Sequence, residues 1–168
     1  MPKKLNKGEW SEAYCLLKTM ATQKLFLCDA GLSDTGTTVQ VVGGQLSKDL
    51  CYKLKDDKAV FFKEGFKQEV PLSDINGISE RCLEGLKKSQ ARTFCIEEVE
   101  ALFQLLGNDS LKAKSSDKAD TIIHVADNLT NQVEKLGFSI KSFLAGSPTL
   151  VNAGRTTNFI YDVKCNFE

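Results

Sequence analysis

The chain has 168 residues, a length that suits one domain with a substantial core and no need of disulfides. Hydrophobic residues make up 42% and charged residues 26%, which excludes an intrinsically disordered protein. The 22 basic and 22 acidic side chains cancel, excluding a protein that coats nucleic acid through bulk charge, and no apolar run approaches the roughly 20 residues that cross a bilayer.

The basic start, with Lys3 and Lys4, is followed by no signal-peptide core, so a cytoplasmic chain without membrane attachment is expected. The spacing predicts a helix over about 7–21, where Trp10, Ala13, Tyr14, Leu17 and Ala21 make an apolar face. Glu9 and Glu12 stand in its early turns, where acids suit the helix dipole. Strands are predicted over 24–28 and 37–42, joined by a turn-rich hairpin connection over 29–36. Two more extended segments, about 50–54 and 59–62, flank the short polar Asp56-Asp57-Lys58. Pro71 then breaks the pattern, and Ser79 is placed to cap a helix running to about Lys88, stapled by Ile78.

A further helix is predicted over about 96–106, since Ile96, Val99, Leu102, Phe103 and Leu106 form one face and Gly107 stops it. Lys112, Lys114 and Lys118 follow in a Ser-containing loop; the cluster reads either as a solvated loop or as a phosphate contact. Asp120 opens the apolar run Thr121-Ile122-Ile123-His124-Val125 as a strand, and a second strand is predicted over 136–142, ending on Lys141 and Ser142. The sum is an α+β chain with one helix in front, a strand-rich insertion, two middle helices and a closing sheet.

Six cysteines (15, 28, 51, 82, 95 and 165) show no C-x-x-C spacing and are expected to be reduced, without a zinc site. His124, the only histidine, lies within a strand pattern and reads as a core or sheet-face residue. The pair that points to chemistry is Asp120 and Lys141. An acid on one strand facing a lysine on its neighbour is how metal-dependent nucleases hold a divalent cation beside a base or charge stabiliser. Both also have structural readings, the aspartate as a strand cap and the lysine as a solvated edge guard.

The runs Gly137-Phe138-Ser139-Ile140-Lys141-Ser142, Gly146-Ser147-Pro148-Thr149-Leu150-Val151-Asn152-Ala153-Gly154 and Thr156-Thr157-Asn158-Phe159-Ile160-Tyr161 resemble the signature of HpaII-type restriction endonucleases. The start, Leu5-Asn6-Lys7-Gly8-Glu9-Trp10-Ser11-Glu12-Ala13-Tyr14, is similar to the same family's N-terminus. The resemblance implies a PD-(D/E)XK nuclease, with a restriction-endonuclease-like mixed sheet core flanked by helices. It implies cleavage of double-stranded DNA at CCGG with magnesium, in restriction-modification. The other readings are a DNA-binding remnant that does not cut, and a different nuclease of the superfamily.

Carried over residue by residue, Asp120 takes the metal-binding acid position and Lys141 the lysine of the X-K pair. The acid expected two residues before that lysine is Ser139 here, able to offer a neutral oxygen to the metal. Glu12 on the first helix is the natural source of the missing carboxylate, with Glu9 in reserve. Contacts to DNA are expected from Lys118, Ser142, Ser147, Thr149, Asn152, Arg155 and Thr156, the last five in a Gly-, Ser- and Asn-rich segment. The family's proteins continue well beyond the strand predicted over 158–163. Residues 1–168 are therefore expected to form a single domain, core strands about 119–168, as the N-terminal part of a longer enzyme. Duplex DNA, a homodimer and a cognate methyltransferase are the expected partners.

Overall fold

Asn6 starts the first helix by a reciprocal cap. Its Oδ1 accepts from the Glu9 N–H at 3.0 Å, and Glu9 Oε2 accepts from the Asn6 N–H at 2.9 Å. The computed structural model describes residues 3–107, 119–127, 132–142 and 144. Helix α1 (Lys7–Thr22) ends at Gln23, whose left-handed backbone (φ 55°) turns its N–H onto the Thr19 carbonyl. Its buried stripe is Trp10, Ala13, Leu16, Leu17 and Met20, so the predicted face is turned slightly: Tyr14 and Ala21 flank the stripe, half-buried.

Strands β1 (Lys24–Cys28) and β2 (Asp34–Gln45) form the predicted hairpin, with β2 extending well past the expected span at both ends. β3 (Cys51–Lys55) and β4 (Lys58–Lys63) pair around Asp56-Asp57. β5 (Phe66–Pro71) was not legible in the sequence, because its polar Lys67-Gln68-Glu69 centre masks a strand that pairs on one side only. Pro71 ends that strand opposite Lys58, a position where a missing N–H is tolerated.

Helix α2 (Leu72–Lys88) follows at once, and the expectation that Ser79 caps it is corrected. Ser79 lies in mid-helix, fully buried, its Oγ donating to the Asn76 carbonyl at 2.8 Å. The helix starts earlier because Leu72 and Ile75 are buried in the core, which outweighs the roughly 1 kcal/mol that Gly77 costs inside a helix. Helix α3 (Glu97–Leu105) buries Val99, Leu102 and Phe103 as predicted, and Gly107 ends the segment with φ 63°.

β6 (Thr121–Ala126) and β7 (Val133–Phe138) complete one seven-stranded sheet in the order β5-β4-β3-β2-β6-β7, with β1 also paired to β2. The strand-rich N-terminal region is thus continuous with the closing strands, and among the described residues every pairing is antiparallel. The architecture is α+β, a central sheet with helices packed on one face. Trp10, Leu17 and Met20 of α1 and Ile75, Cys82 and Leu86 of α2 meet Tyr52, Phe61 and Val70 of the sheet. Val41, Ile123 and Val125 extend that apolar face towards β6, with Leu25, Val39 and Phe138 against them. Among the described residues no helix is long and apolar enough to cross a membrane.

β2 serves as the junction, pairing with β1 and β3 along one edge and β6 along the other. Its pairing with β6 shifts register between Val41 and Gly43. A Cβ on Gly44 would collide with the Ile122 carbonyl and sit 2.8 Å from Cε1 of the buried Tyr52 ring. Gly44→Ala is therefore expected to destabilise the fold by about 1–3 kcal/mol, since backbone and a packed ring must both move. Urea unfolding checks this, and an unchanged midpoint would contradict the close approach.

The segment before α1 is strapped to the region before α3. Leu5 and Phe94 exchange backbone hydrogen bonds of 2.9 Å, and Trp10 Nε1–H donates to the Phe94 carbonyl at 2.9 Å. Glu100 accepts from the Lys3 N–H at 2.8 Å and from the Cys95 thiol at 3.2 Å. These bonds, the Lys3 N–H first, hold its carboxyl below the usual range.

Candidate functional site

The antiparallel register places Thr121 opposite Phe138, so Asp120 and Ser139 lie together one step beyond the end of the β6–β7 ladder. The Asp120 N–H donates to the Phe138 carbonyl at 2.9 Å, which closes the ladder. Asp120 Oδ2 then accepts from the Ile140 N–H at 2.6 Å and from Ser139 Oγ at 3.1 Å. A single carboxylate oxygen thus gathers two consecutive residues 19 and 20 positions away in sequence.

This bond also explains a difference from the expected strand. β7 ends at Phe138, and residues 139–142 are outside it, so Lys141 follows the strand instead of closing it. The Ile140 N–H, which a continuing ladder would have used, is taken by the Asp120 side chain. Lys141 comes directly after that anchored amide and is exposed.

Helix α1 reaches the same segment through Ser11. Ser11 Oγ lies 2.7 Å from the Lys7 carbonyl oxygen and 2.9 Å from Ser142 Oγ. With one proton on each hydroxyl, Ser11 donates to the carbonyl and Ser142 donates to Ser11. The Leu144 N–H in turn donates to Ser142 Oγ at 3.3 Å. Ser142 therefore ties the residue after Lys141 to the helix that carries Glu12. Sequence reasoning missed Ser11, because a serine among helical residues gives no sign of a partner 131 positions away.

Glu12 is half-buried, next to Ser11 on the helix. Burial first, and then the Glu12 carboxylate, push the Cys15 thiol above its ordinary range. The reserve acid Glu9 is committed to the cap with Asn6. Among the described residues no three of His, Cys, Asp and Glu gather as a metal cluster. His124 lies half-buried on β6, and burial, then Lys135 and Lys53, hold its imidazole below the usual value.

The structure brings Asp120, Ser139 and Lys141 together at one end of β6–β7 and joins Ser142 to the turn of α1 that holds Glu12. The remaining expected contacts, Lys118, Ser147, Thr149, Asn152, Arg155 and Thr156, lie outside the described residues, as do Cys165, the strand expected over 158–163 and most of the turn after Asp127. Cys15, Cys28, Cys51, Cys82 and Cys95 are free thiols.

Residues 6–167 match the family described as HpaII restriction endonuclease. The chain is 32% identical over 164 residues to a protein of Haemophilus parainfluenzae named Type II restriction enzyme HpaII. The alignment covers 94% of this chain and 46% of that relative, so the chain spans about half of the relative's length. No solved structure matches.

Proposed function

Since the chain belongs to the HpaII restriction endonuclease family, we propose that it carries the nuclease centre of a type II restriction enzyme. The reaction is hydrolysis of phosphodiester bonds in double-stranded DNA at CCGG, with magnesium. The observation that supports this reading is the Asp120 carboxylate at the β6–β7 end, holding the Ile140 N–H and Ser139 Oγ directly before Lys141.

The donor set suits a hard cation. Magnesium takes oxygen ligands and is often held by one or two carboxylates with substrate phosphate and several waters, so a three-residue cluster is not required. Asp120 would hold it through the oxygen that, among the described residues, accepts neither the Ile140 nor the Ser139 bond. Glu12 would supply the second carboxylate from α1. Ser139 donates to Asp120 here, so beyond a neutral oxygen it offers orientation of the acid. When bound, magnesium supplies Lewis acidity at the scissile phosphate and a lower pKa for water beside it.

Asp120 has the further task of fixing the backbone on which Lys141 rides. Lys141, presented at the phosphate, orients the attacking water and stabilises the charge that grows on the phosphoryl oxygens in an in-line displacement. Removing it as Lys141→Ala is expected to slow cleavage about 100- to 1,000-fold and to leave duplex affinity within a few-fold. Single-turnover cleavage beside an anisotropy titration checks both halves; full activity would exclude Lys141 from the centre.

We also propose that residues 1–168 act as a single restriction-endonuclease-like domain in the cytoplasm, in a system with a methyltransferase that protects CCGG. A homodimer would cut both strands of the palindrome symmetrically. The deciding experiment incubates the purified chain with unmethylated plasmid, with magnesium or with EDTA. Discrete fragments ending at CCGG with magnesium alone support the reading. Intact plasmid from folded protein that still binds DNA favours the non-cutting remnant, and fragments with other ends favour a different nuclease of the superfamily.

A further inference from the structure

Ser11 is a polar residue on the inward face of α1. It is 4% exposed, beside Trp10 and Ala13, at a position where alanine would favour the helix more. A buried hydroxyl costs stability unless its bonds are made, and Ser11 makes two, 2.7 Å to the Lys7 carbonyl oxygen and 2.9 Å to Ser142 Oγ. Two other hydroxyls bond back along their own helices. Thr22 Oγ1 donates to the Lys18 carbonyl at 2.9 Å, and Ser79 Oγ to the Asn76 carbonyl at 2.8 Å. Among the described residues neither takes a bond from the side chain of another element. Ser11 does, and its partner is the residue next to Lys141.

The protons of this contact are all assigned. A carbonyl only accepts, so the Ser11 proton lies on the Lys7 oxygen and the Ser142 proton lies on Ser11. Ser142 Oγ also accepts from the Leu144 N–H at 3.3 Å. With its single proton engaged, Ser142 has no donor left for a phosphate oxygen, which only accepts. That counts against the DNA contact expected of Ser142 from the sequence. On the other side of Lys141, the Ile140 N–H is bound by Asp120 Oδ2 at 2.6 Å. Lys141 therefore stands between two held neighbours, one tied to the end of β6 and the other to α1.

We propose that Ser11 and Ser142 are positioning residues, a hydroxyl clamp that fixes the Lys141 segment between Asp120 and α1, and that Ser142 acts through Ser11 instead of touching DNA. The proposal rests on the nuclease reading for the reaction that the clamp serves. Its first consequence is that the backbone of Lys141 is held from both sides, which fixes where the side chain starts. Its second is the spacing between that segment and α1, where the residue after Ser11 is Glu12. A displacement of about 1 Å at a reacting group can cost about 100-fold in rate, and supporting hydrogen bonds are what prevent it. Stability separates this role from a purely structural tie. Alanine is the better helix former, and a helical carbonyl keeps its backbone partner, so loss of the Ser11 hydroxyl orphans nothing within α1. Ser142, half-buried, turns its proton to water.

The test combines single-turnover cleavage of a CCGG duplex, anisotropy titration of the same duplex in EDTA, thermal melts and amide hydrogen exchange. Ser11→Ala and Ser142→Ala are each expected to cut about 10- to 100-fold more slowly, with duplex affinity unchanged and a melting temperature equal to the wild type or higher. The double variant should cut no more slowly than the slower single variant, because both changes remove the same bond. Ser142→Thr keeps a hydroxyl and should recover most of the rate, and Ser79→Ala, a buried back-bonded serine on α2, should leave the rate unchanged. Exchange needs no cleavage. The Ile140 amide should exchange about tenfold faster or more in Ser11→Ala, while the Ile123 amide of β6 stays protected. Wild-type rates and exchange in both single variants would overturn the clamp. So would weaker duplex binding by Ser142→Ala alone, which would make Ser142 a DNA contact, or multiplied losses in the double variant. A rate loss in Ser11→Ala that follows a lowered melting temperature would reduce Ser11 to a structural role and overturn it too. Faster Ile140 exchange in Ser11→Ala, beside a wild type that does not cut with magnesium, would leave the clamp standing and remove the nuclease reading instead.

Discussion

Asp120→Asn is expected to lower magnesium-dependent cleavage about a thousandfold or more while leaving the fold intact. The size follows from the several kcal/mol that a catalytic metal contributes, each 1.4 kcal/mol being tenfold in rate. The specificity follows from the geometry at the end of β6. Asparagine keeps one carbonyl oxygen, which can take the place of Oδ2 and accept from the Ile140 N–H at 2.6 Å and Ser139 Oγ at 3.1 Å. The junction that carries Lys141 therefore persists, while the negative charge is lost and the second oxygen becomes a donor that repels a cation. Asp120→Ala differs, because it also leaves the Ile140 N–H without its acceptor, a loss of about 1–3 kcal/mol if that amide stays dry. Cleavage time courses at saturating magnesium, with circular dichroism melts of both variants, separate the effects. Cutting by Asp120→Asn within tenfold of the wild type would remove Asp120 from the centre.

Trp10→Ala should have the largest effect on stability, about 3–5 kcal/mol out of the 5–15 kcal/mol typical of a domain. Trp10 is fully buried between α1 and the core, with its ring 6.2 Å from that of Phe94. Truncation leaves a cavity and removes the Nε1–H donor of the Phe94 carbonyl at 2.9 Å. It also loosens the strap that sets α1, and with it the Ser11–Ser142 contact near Lys141. Trp10→Phe retains most of the packing and should lose less. Since the chain has 1 tryptophan, unfolding is followed by far-ultraviolet circular dichroism in urea. A loss below about 1 kcal/mol would show that the site can collapse around the gap.

Legibility in the sequence tracked how local each signal was. Helices α1 and α3 follow their 3.6-residue apolar spacing, and Gly107 ends the segment after α3 as its left-handed backbone requires. The start of α2 was misplaced because Ser79 is a good capping residue in isolation; burial of Leu72 and Ile75 is what extends the helix back to Pro71. β5 was missed because Lys67, Gln68 and Glu69 leave little apolar alternation. The three-residue spacing of Asn6 and Glu9 carries the reciprocal cap as well as the acid's dipole role.

Within the candidate site, the choice of Asp120 and Lys141 came from residue types and a family resemblance, and the family is confirmed. The sequence by itself determined the three helices, most of the strands, and the return of a second strand beside 120–125, expected over 136–142 and found over 133–138. These depend on periodicity and on short connections. Only the tertiary structure decided that the N-terminal strands and the closing strands make one sheet, that Asp120 ends β7 by taking the Ile140 N–H, and that Ser11 holds Ser142. The last of these joins residues 131 positions apart, which no periodicity records, because it depends on how α1 docks against the end of the sheet.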